Sequence, residues 1–264
     1  MIADPQLVAA LKRIDWRDLV PMQPAEVWRE LLLPLPWLVT SLISAVYATY
    51  PLALALSFVF FLSGLRVVHG ACHGALGLPR AANRIVLFTF SLLMLGSMHV
   101  VRWNHLRHHV DCLGPADVEA MGARYSALGA ILLGPRFPLR LHRAALTGAR
   151  GTERCWMLAE LAGNFGSIVL LFAFSNPVAI YHLLAMAAGQ CLTAFFAVWT
   201  VHHHPNPGGL PARTIRHRLR NAITFSMFLH LEHHLFPQVP TAHLPMLARR
   251  LDQALPGRKW PVAW

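Results

Sequence analysis

The sequence predicts an all-α membrane protein, with two transmembrane helical hairpins (about four spans), a helical cap on the cytoplasmic face and an interfacial helix. Three observations predict this fold class. The 264 residues are 55% hydrophobic and 13% charged, against about 25% charge in a soluble domain, and mean hydropathy is +0.45. Four stretches reach the roughly 20 apolar residues a helix needs to cross a bilayer. No lysine or arginine lies between Arg29 and Arg66, and none between Arg154 and Arg213. All basic residues can therefore share one side of two hairpins, and by the positive-inside rule that side is the cytoplasm.

Residues 1–30 form the first element. "MIADPQLVAALKRIDWRDL" is studded with charge and lacks the long apolar run of a cleavable signal, so it reads as an amphipathic helix near the membrane surface. The first hairpin occupies 31–68, with spans "LLLPLPWLVTSLISAVYATY" (31–50) and "PLALALSFVFFLSGLRVV" (51–68) meeting at Thr49-Tyr50-Pro51. The second occupies 155–201, with spans 155–174 and 177–201 meeting at Ser175-Asn176-Pro177. Both junctions are turn chemistry, and a proline opens the helix that follows. Residues 85–101, "IVLFTFSLLMLGSMHVV", are short for a span. Were they to cross, the arginine-rich loop beyond them would begin outside, so they are read as interfacial or packed against the hairpins. Residues 202–264 form the C-terminal cap, and 1–264 is a single domain.

The four cysteines (Cys72, Cys112, Cys155, Cys191) stand far apart without a CxxC pair, which suits a reducing compartment rather than a disulfide framework. The formal net charge is +11. Its basic residues are scattered among apolar segments, which points to anionic lipid headgroups and not to nucleic acid.

Three histidine clusters stand out: "HGACH" (69–73), "HLRHH" (105–109) and "HLEHH" (230–234), with "HHH" at 202–204. Residues three and four apart share a helix face, so each cluster presents its rings in one direction. Imidazole suits zinc, copper, iron and nickel. Eight box histidines exceed the four ligands of a closed zinc site, so two metals account for them better. A zinc pair satisfies the count. An iron pair also explains a centre set against membrane hairpins, where an unreactive hydrocarbon meets an oxidant. His99, His142, His182, His217 and His243 lack partners at ligand spacing and are read as ordinary hydrogen-bonded residues.

H-x3-H, H-x2-HH and H-x2-HH, in this order around two hairpins, resemble the integral-membrane fatty acid desaturase superfamily, which includes hydroxylases and ketolases. "HLEHHLFPQVPTAHLP" (230–245) is similar to its last-box segment. "HLRHHVDCLGPADVEA" (105–120) is similar to its second box with a downstream acidic patch, and "WTVHHHP" (199–205) to the helix-end motif that supplies one further histidine. The resemblance covers about 31–245. Val201 stands where such families often carry glutamine. "HPNPGG" resembles a haem-binding signature, but the inserted Asn206-Pro207 and the chain length argue against a fused donor domain.

The resemblance implies a non-haem diiron enzyme that uses dioxygen and an external electron donor, ferredoxin-like or another redox protein. Its substrate would be a membrane lipid or an acyl-carrier-bound lipid. The metal residues carried over are His69, His73, His105, His108, His109, His202, His230, His233 and His234, with His203 or His204 as second choices for the helix-end position. Asp111, Asp117, Glu119 and Glu232 fit by position as carboxylates that orient the imidazoles. The leading reaction is desaturation of a fatty acyl chain, and the alternative is hydroxylation or ketolation of a long apolar substrate such as a carotenoid. The location implied is the inner membrane, with the metal site on the cytoplasmic face.

Phe58, Phe61, Met94, Met98, Phe195, Phe196 and Trp199 are candidates for the substrate groove or for plain packing. Arg66, Arg102 and Arg107 are candidates for an acyl-carrier phosphate, a donor protein or lipid headgroups. A histidine-rich metal carrier is a different class. It requires ionisable groups within the spans, where only Glu160 and His182 qualify.

Overall fold

The computed structural model describes residues 5–203 and 209–263; His204 lies outside them. Among the described residues, Pro24–Val46, Tyr50–His73, Gly151–Phe174 and Pro177–His202 are long and apolar enough to cross a membrane. In chain order the helices are α1 (Pro5–Arg13), α2 (Pro24–Leu32), α3 (Leu35–Val46), α4 (Tyr50–His73), α5 (Arg80–Met94) and α6 (Met98–Val110). They continue with α7 (Ala127–Leu133), α8 (Arg136–Gly148), α9 (Gly151–Phe174), α10 (Pro177–His202), α11 (Arg218–Ile223), α12 (His230–Leu235) and α13 (Leu244–Ala254). The described residues contain no strand, only an isolated bridge between Thr214 and Val262. Val39, Ile43, Val46, Phe165, Phe172 and Leu184 stand exposed on the long helices, as apolar surface that a bilayer would cover.

The first apolar helix starts at Pro24, before the expected 31, because its N-terminus is built there. Pro24 occupies the first turn, and Glu26 accepts a 2.8 Å bond from the Gln23 N–H in a capping box. Both hairpin turns fall where turn chemistry put them. Ala48 takes a φ of 55° between α3 and α4, and Ser175 takes 48° between α9 and α10. Asn176 then caps α10 by accepting from the Val178 and Ala179 N–H groups.

The second span was expected to stop at 68. Nothing interrupts the helix before Gly74, which ends it at a φ of 66°. Its 24 residues extend about 36 Å at 1.5 Å each, beyond the ~30 Å hydrocarbon core. His69 and His73 therefore stand in the last turns of a helix longer than the apolar layer is thick.

Segment 85–101 is not one helix. It is divided between α5 and α6, which bend by 116°. Leu95 adopts a φ of 52° at the corner, and Ser97 restarts the chain by accepting from the Val100 N–H. The bend turns α6 back so that its histidines meet those of α4.

The N-terminal helix was expected near the membrane surface. Leu7 of this helix packs with Leu210, Ala212 and Leu231, and just beyond the helix Ile14 and Leu19 pack with Leu229, Leu244, Leu247 and Leu251. An amphipathic face buries where apolar area is offered, and these C-terminal residues offer it. Arg250 clasps both carboxylate oxygens of Asp18 at 2.6 Å across the same seam.

Near its end, α10 passes through a π-helical turn, Ala194–Trp199, before Thr200–His202. The segment carrying α7 and α8 lies against this turn. Gly122 faces the Ala194 carbonyl and Gly134 the Cys191 carbonyl so closely that a side chain would overlap either oxygen.

Candidate metal centre

The nine expected histidines come from four elements and meet in one place. In α6, His105 and His109 stand four apart and their Nε2 atoms are 3.2 Å from each other. In α12, His230 and His234 repeat this at 3.2 Å. The third ring of each box diverges. His108 Nε2 lies 3.2 Å from His202 and 3.3 Å from His234, while His233 Nε2 lies 2.9 Å from His109. An H-x2-HH box thus gives its i, i+4 pair to one cluster and its i+3 ring to the other, because these positions spread over about 100° of helix.

Two clusters result. The first holds His69, His73, His105, His109 and His233. His73 Nε2 is 3.0 Å from His105 Nε2, and the His69 ring centre is 4.1 Å from that of His233. The second holds His108, His202, His230 and His234, with His202 and His230 Nε2 atoms 3.0 Å apart. Cys112 Sγ stands beside His108, His202 and His234, each offering a ligand atom within 4.8 Å of the others.

These contacts fit metal ions. Two nitrogens bound at about 2.1 Å to one metal lie about 3.0 to 3.4 Å apart for bond angles of 90° to 109°, and the inter-ring contacts match those edges. Without a cation, the arrangement forces lone pairs together. His105 Nδ1 bonds Glu119 at 2.7 Å, His108 Nδ1 bonds Asp117 at 2.7 Å and His202 Nδ1 bonds the Pro211 carbonyl at 2.9 Å. Each therefore donates its Nδ1–H outward and turns an acceptor Nε2 inward. His69 Nε2 is buried with no protein partner. Burial, followed by the neighbouring imidazoles, holds His230, His233 and His234 well below the ordinary histidine range, so these three rings are neutral and able to ligate. Burial acts the same way on His108, but its bond to Asp117 outweighs it and pushes that ring up to about 10 in the metal-free protein. Burial alone would raise Asp117. The His108 bond, with the Ala120 and Leu113 N–H groups, instead keeps it below the usual carboxylate range. Burial raises Glu119.

Two of the four expected carboxylates do not reach an imidazole. Glu232 is fully buried but bonds Thr214 Oγ1 at 2.6 Å and Arg216 at 2.6 and 2.9 Å. Two residues from His230 and His234, it points about 200° around the helix from them. Asp111 follows the last residue of α6 and is exposed, since the chain leaves helical geometry there. His203 bonds the Ala123 carbonyl at 3.0 Å and stacks on Trp199, which leaves His202, among the described residues, as the helix-end ring within the cluster.

The isolated histidines are hydrogen-bonded residues, as expected for His99, His142, His182, His217 and His243. His99 has more than that. Its Nδ1 meets Glu160 Oε1 at 2.7 Å, and Glu160 Oε2 accepts from Ser97 Oγ at 2.5 Å and the His99 N–H at 3.0 Å. Glu160 thus pins the α5–α6 corner, and His182 is bonded to the Leu93 carbonyl.

Of the seven groove candidates, Met98 alone lines the apolar cavity, about 100 Å³, that reaches His69, His105 and His230. Its walls come mainly from Val68, Val101, Phe137, Leu141 and Val198. Phe58 and Phe61 pack edge-on against Phe196, and Phe195 stacks on Trp199. Arg66 is consumed by a buried pair with Glu30, Arg102 pairs with Glu153 at 2.9 Å and Arg107 lies 3.6 Å over the Trp103 ring.

Sequence reasoning passed over Cys112, grouped with the dispersed thiols. The signal was present, since it follows His108 by four residues, the spacing of a shared helix face.

Comparison with protein families matches residues 45–264 to "Fatty acid desaturase". Comparison with curated proteins gives no match. The histidine geometry and a match over most of its length agree: the chain belongs to the fatty acid desaturase family.

Proposed function

We propose that the protein is a diiron membrane enzyme that introduces a double bond into a fatty acyl chain. The family supports a membrane oxidoreductase of the desaturase and hydroxylase type. The observation that carries the finer reading is the convergence of nine inward-facing imidazoles into a cluster of five and a cluster of four. His69, His73, His105, His109 and His233 would hold one metal, and His108, His202, His230 and His234 the other. When bound, an iron pair supplies the oxidising power that, with dioxygen, two electrons and two protons, takes two hydrogens from adjacent carbons and releases two waters.

The chain's own groups do the positioning. Asp117, Glu119 and the Pro211 carbonyl fix ring orientation by accepting the Nδ1–H groups. Val68, Val101, Leu141 and Val198 give the cavity an apolar wall suited to a hydrocarbon and keep water from the reacting carbons. A second pocket, about 170 Å³, adjoins His73 and is bordered by Arg80, Arg84 and Arg102. Glu153 is the carboxylate paired with two of them, and the remaining positive charge suits an acidic, ferredoxin-like electron donor. The apolar helices and the basic side support placement in the inner membrane, with the centre facing the cytoplasm.

Anaerobic loading with iron and a reductase, followed by oxygen and mass spectrometry of extracted lipids, tests the reading. Acyl chains short of two hydrogens are expected. A gain of oxygen in its place would assign hydroxylation, and a fully loaded, reduced protein that alters no lipid would overturn both.

A further inference from the structure

The two imidazole clusters are unequal, five against four, and a sulfur stands beside the smaller one. Cys112 lies just past the end of α6, one turn after His108. Its Sγ is 3.8 Å from His108 Nε2 and within 4.8 Å of the facing nitrogens of His202 and His234. We propose that Cys112 is a thiolate ligand of the second metal, giving it four nitrogens and one sulfur where the first metal has five nitrogens. The proposal rests on the two-metal reading above.

The thiol is held by the anchors that hold its neighbours. The Pro211 carbonyl accepts from both His202 Nδ1 at 2.9 Å and Cys112 Sγ at 3.6 Å. Asp117 Oδ2 accepts from His108 Nδ1 at 2.7 Å and from the Leu113 N–H, next to Cys112, at 2.9 Å. The turn after α6 is closed by a 2.7 Å bond from the Gly114 N–H to the Asp111 carbonyl, with Leu113 at a φ of 64°. The Leu113 N–H bond thus ties the backbone beside Cys112 to the carboxylate that orients His108, and the S–H bond to Pro211 is given up when the sulfur turns to a metal. Coordination breaks the S–H bond, forms the metal–sulfur bond and releases the proton to solvent, since a ligating thiol is deprotonated outright. The second metal would then carry one unit less positive charge than the first, an electronic asymmetry that nine neutral imidazoles cannot supply.

The test uses the full chain loaded with zinc alone. X-ray absorption at the zinc edge is expected to show a sulfur scatterer at about 2.3 Å beside the nitrogen shell. Cys112→Ser should lose the sulfur signal and bind one of two zincs roughly tenfold more weakly, while Cys155→Ser keeps both. Alkylation of wild-type Cys112 should also slow roughly tenfold on loading, because the bound thiolate is no longer the free nucleophile; exposed Cys155 should react unchanged. A nitrogen-only shell around two bound zincs would overturn the sulfur ligand and leave the two-metal reading intact. Absence of bound zinc would overturn both.

Discussion

Asp117 Oδ2 lies 2.7 Å from His108 Nδ1, so one carboxylate fixes the ring that joins α6 to the end of α10. Its other oxygen accepts the Ala120 N–H at 3.0 Å, which keeps the carboxylate from turning away. Asp117→Asn keeps the size but offers a weaker acceptor to the imidazole. Metal affinity is expected to fall about 10- to 100-fold, with the fold retained. Competition with a chelator of known affinity, beside circular dichroism of the apoprotein, checks this.

Removing single rings should resolve the two clusters. His73→Ala deprives the first and His202→Ala the second, and each is expected to lower stoichiometry toward one tightly held metal per chain. His108→Ala and His233→Ala should abolish lipid product while leaving membrane insertion intact. Metal analysis and product assays on the same preparations would expose a wrong assignment as unchanged turnover.

The metal-free protein should weaken in acid. His230, His233 and His234 are held far below the ordinary histidine range in the folded state, whereas the unfolded chain protonates near pH ~6.5. Below that pH the unfolded state binds more protons, so stability falls as pH falls, by about 1.4 kcal/mol per pH unit for each such histidine. Tryptophan-fluorescence melts of apoprotein in detergent, from pH 8 to pH 5 (values chosen to bracket the ~6.5 of free histidine), should show a Tm that falls once the pH drops below ~6.5 and keeps falling to pH 5. A flat profile would contradict neutral burial of these rings.

Arg66 and Glu30 tie α4 to α2 through bonds of 2.5 and 2.6 Å, both side chains being buried. Arg66→Ala leaves a buried carboxylate without its partner, and a loss of about 3 to 5 kcal/mol is expected. Denaturant titration of the single variant and of Arg66→Met/Glu30→Leu should show the double change to be the milder one.

Legibility in the sequence followed the range of the interaction. Spacing within a helix is local, so the boxes at 69–73, 105–109 and 230–234 could be read directly, as could both hairpin turns. The division of rings between clusters was not legible, since it depends on how α6 and α12 cross: His109 meets His233, whereas His108 meets His234. Glu232 sat in the right box and still faces Arg216, because its direction is fixed by its place around the helix. Proximity in sequence also hid the bend that splits 85–101, where a Gly96-Ser97 pair outweighed a continuous apolar run. The docking of α1 depends on cap residues some 200 positions away, beyond the reach of any local pattern.

Iron content and coordination of the purified, anaerobically loaded protein bear most directly on the convergence of these imidazoles. The account predicts two irons per chain, with X-ray absorption dominated by nitrogen scatterers and both irons lost below the pH at which the rings protonate. A single iron, or iron held by oxygen ligands alone, would contradict it.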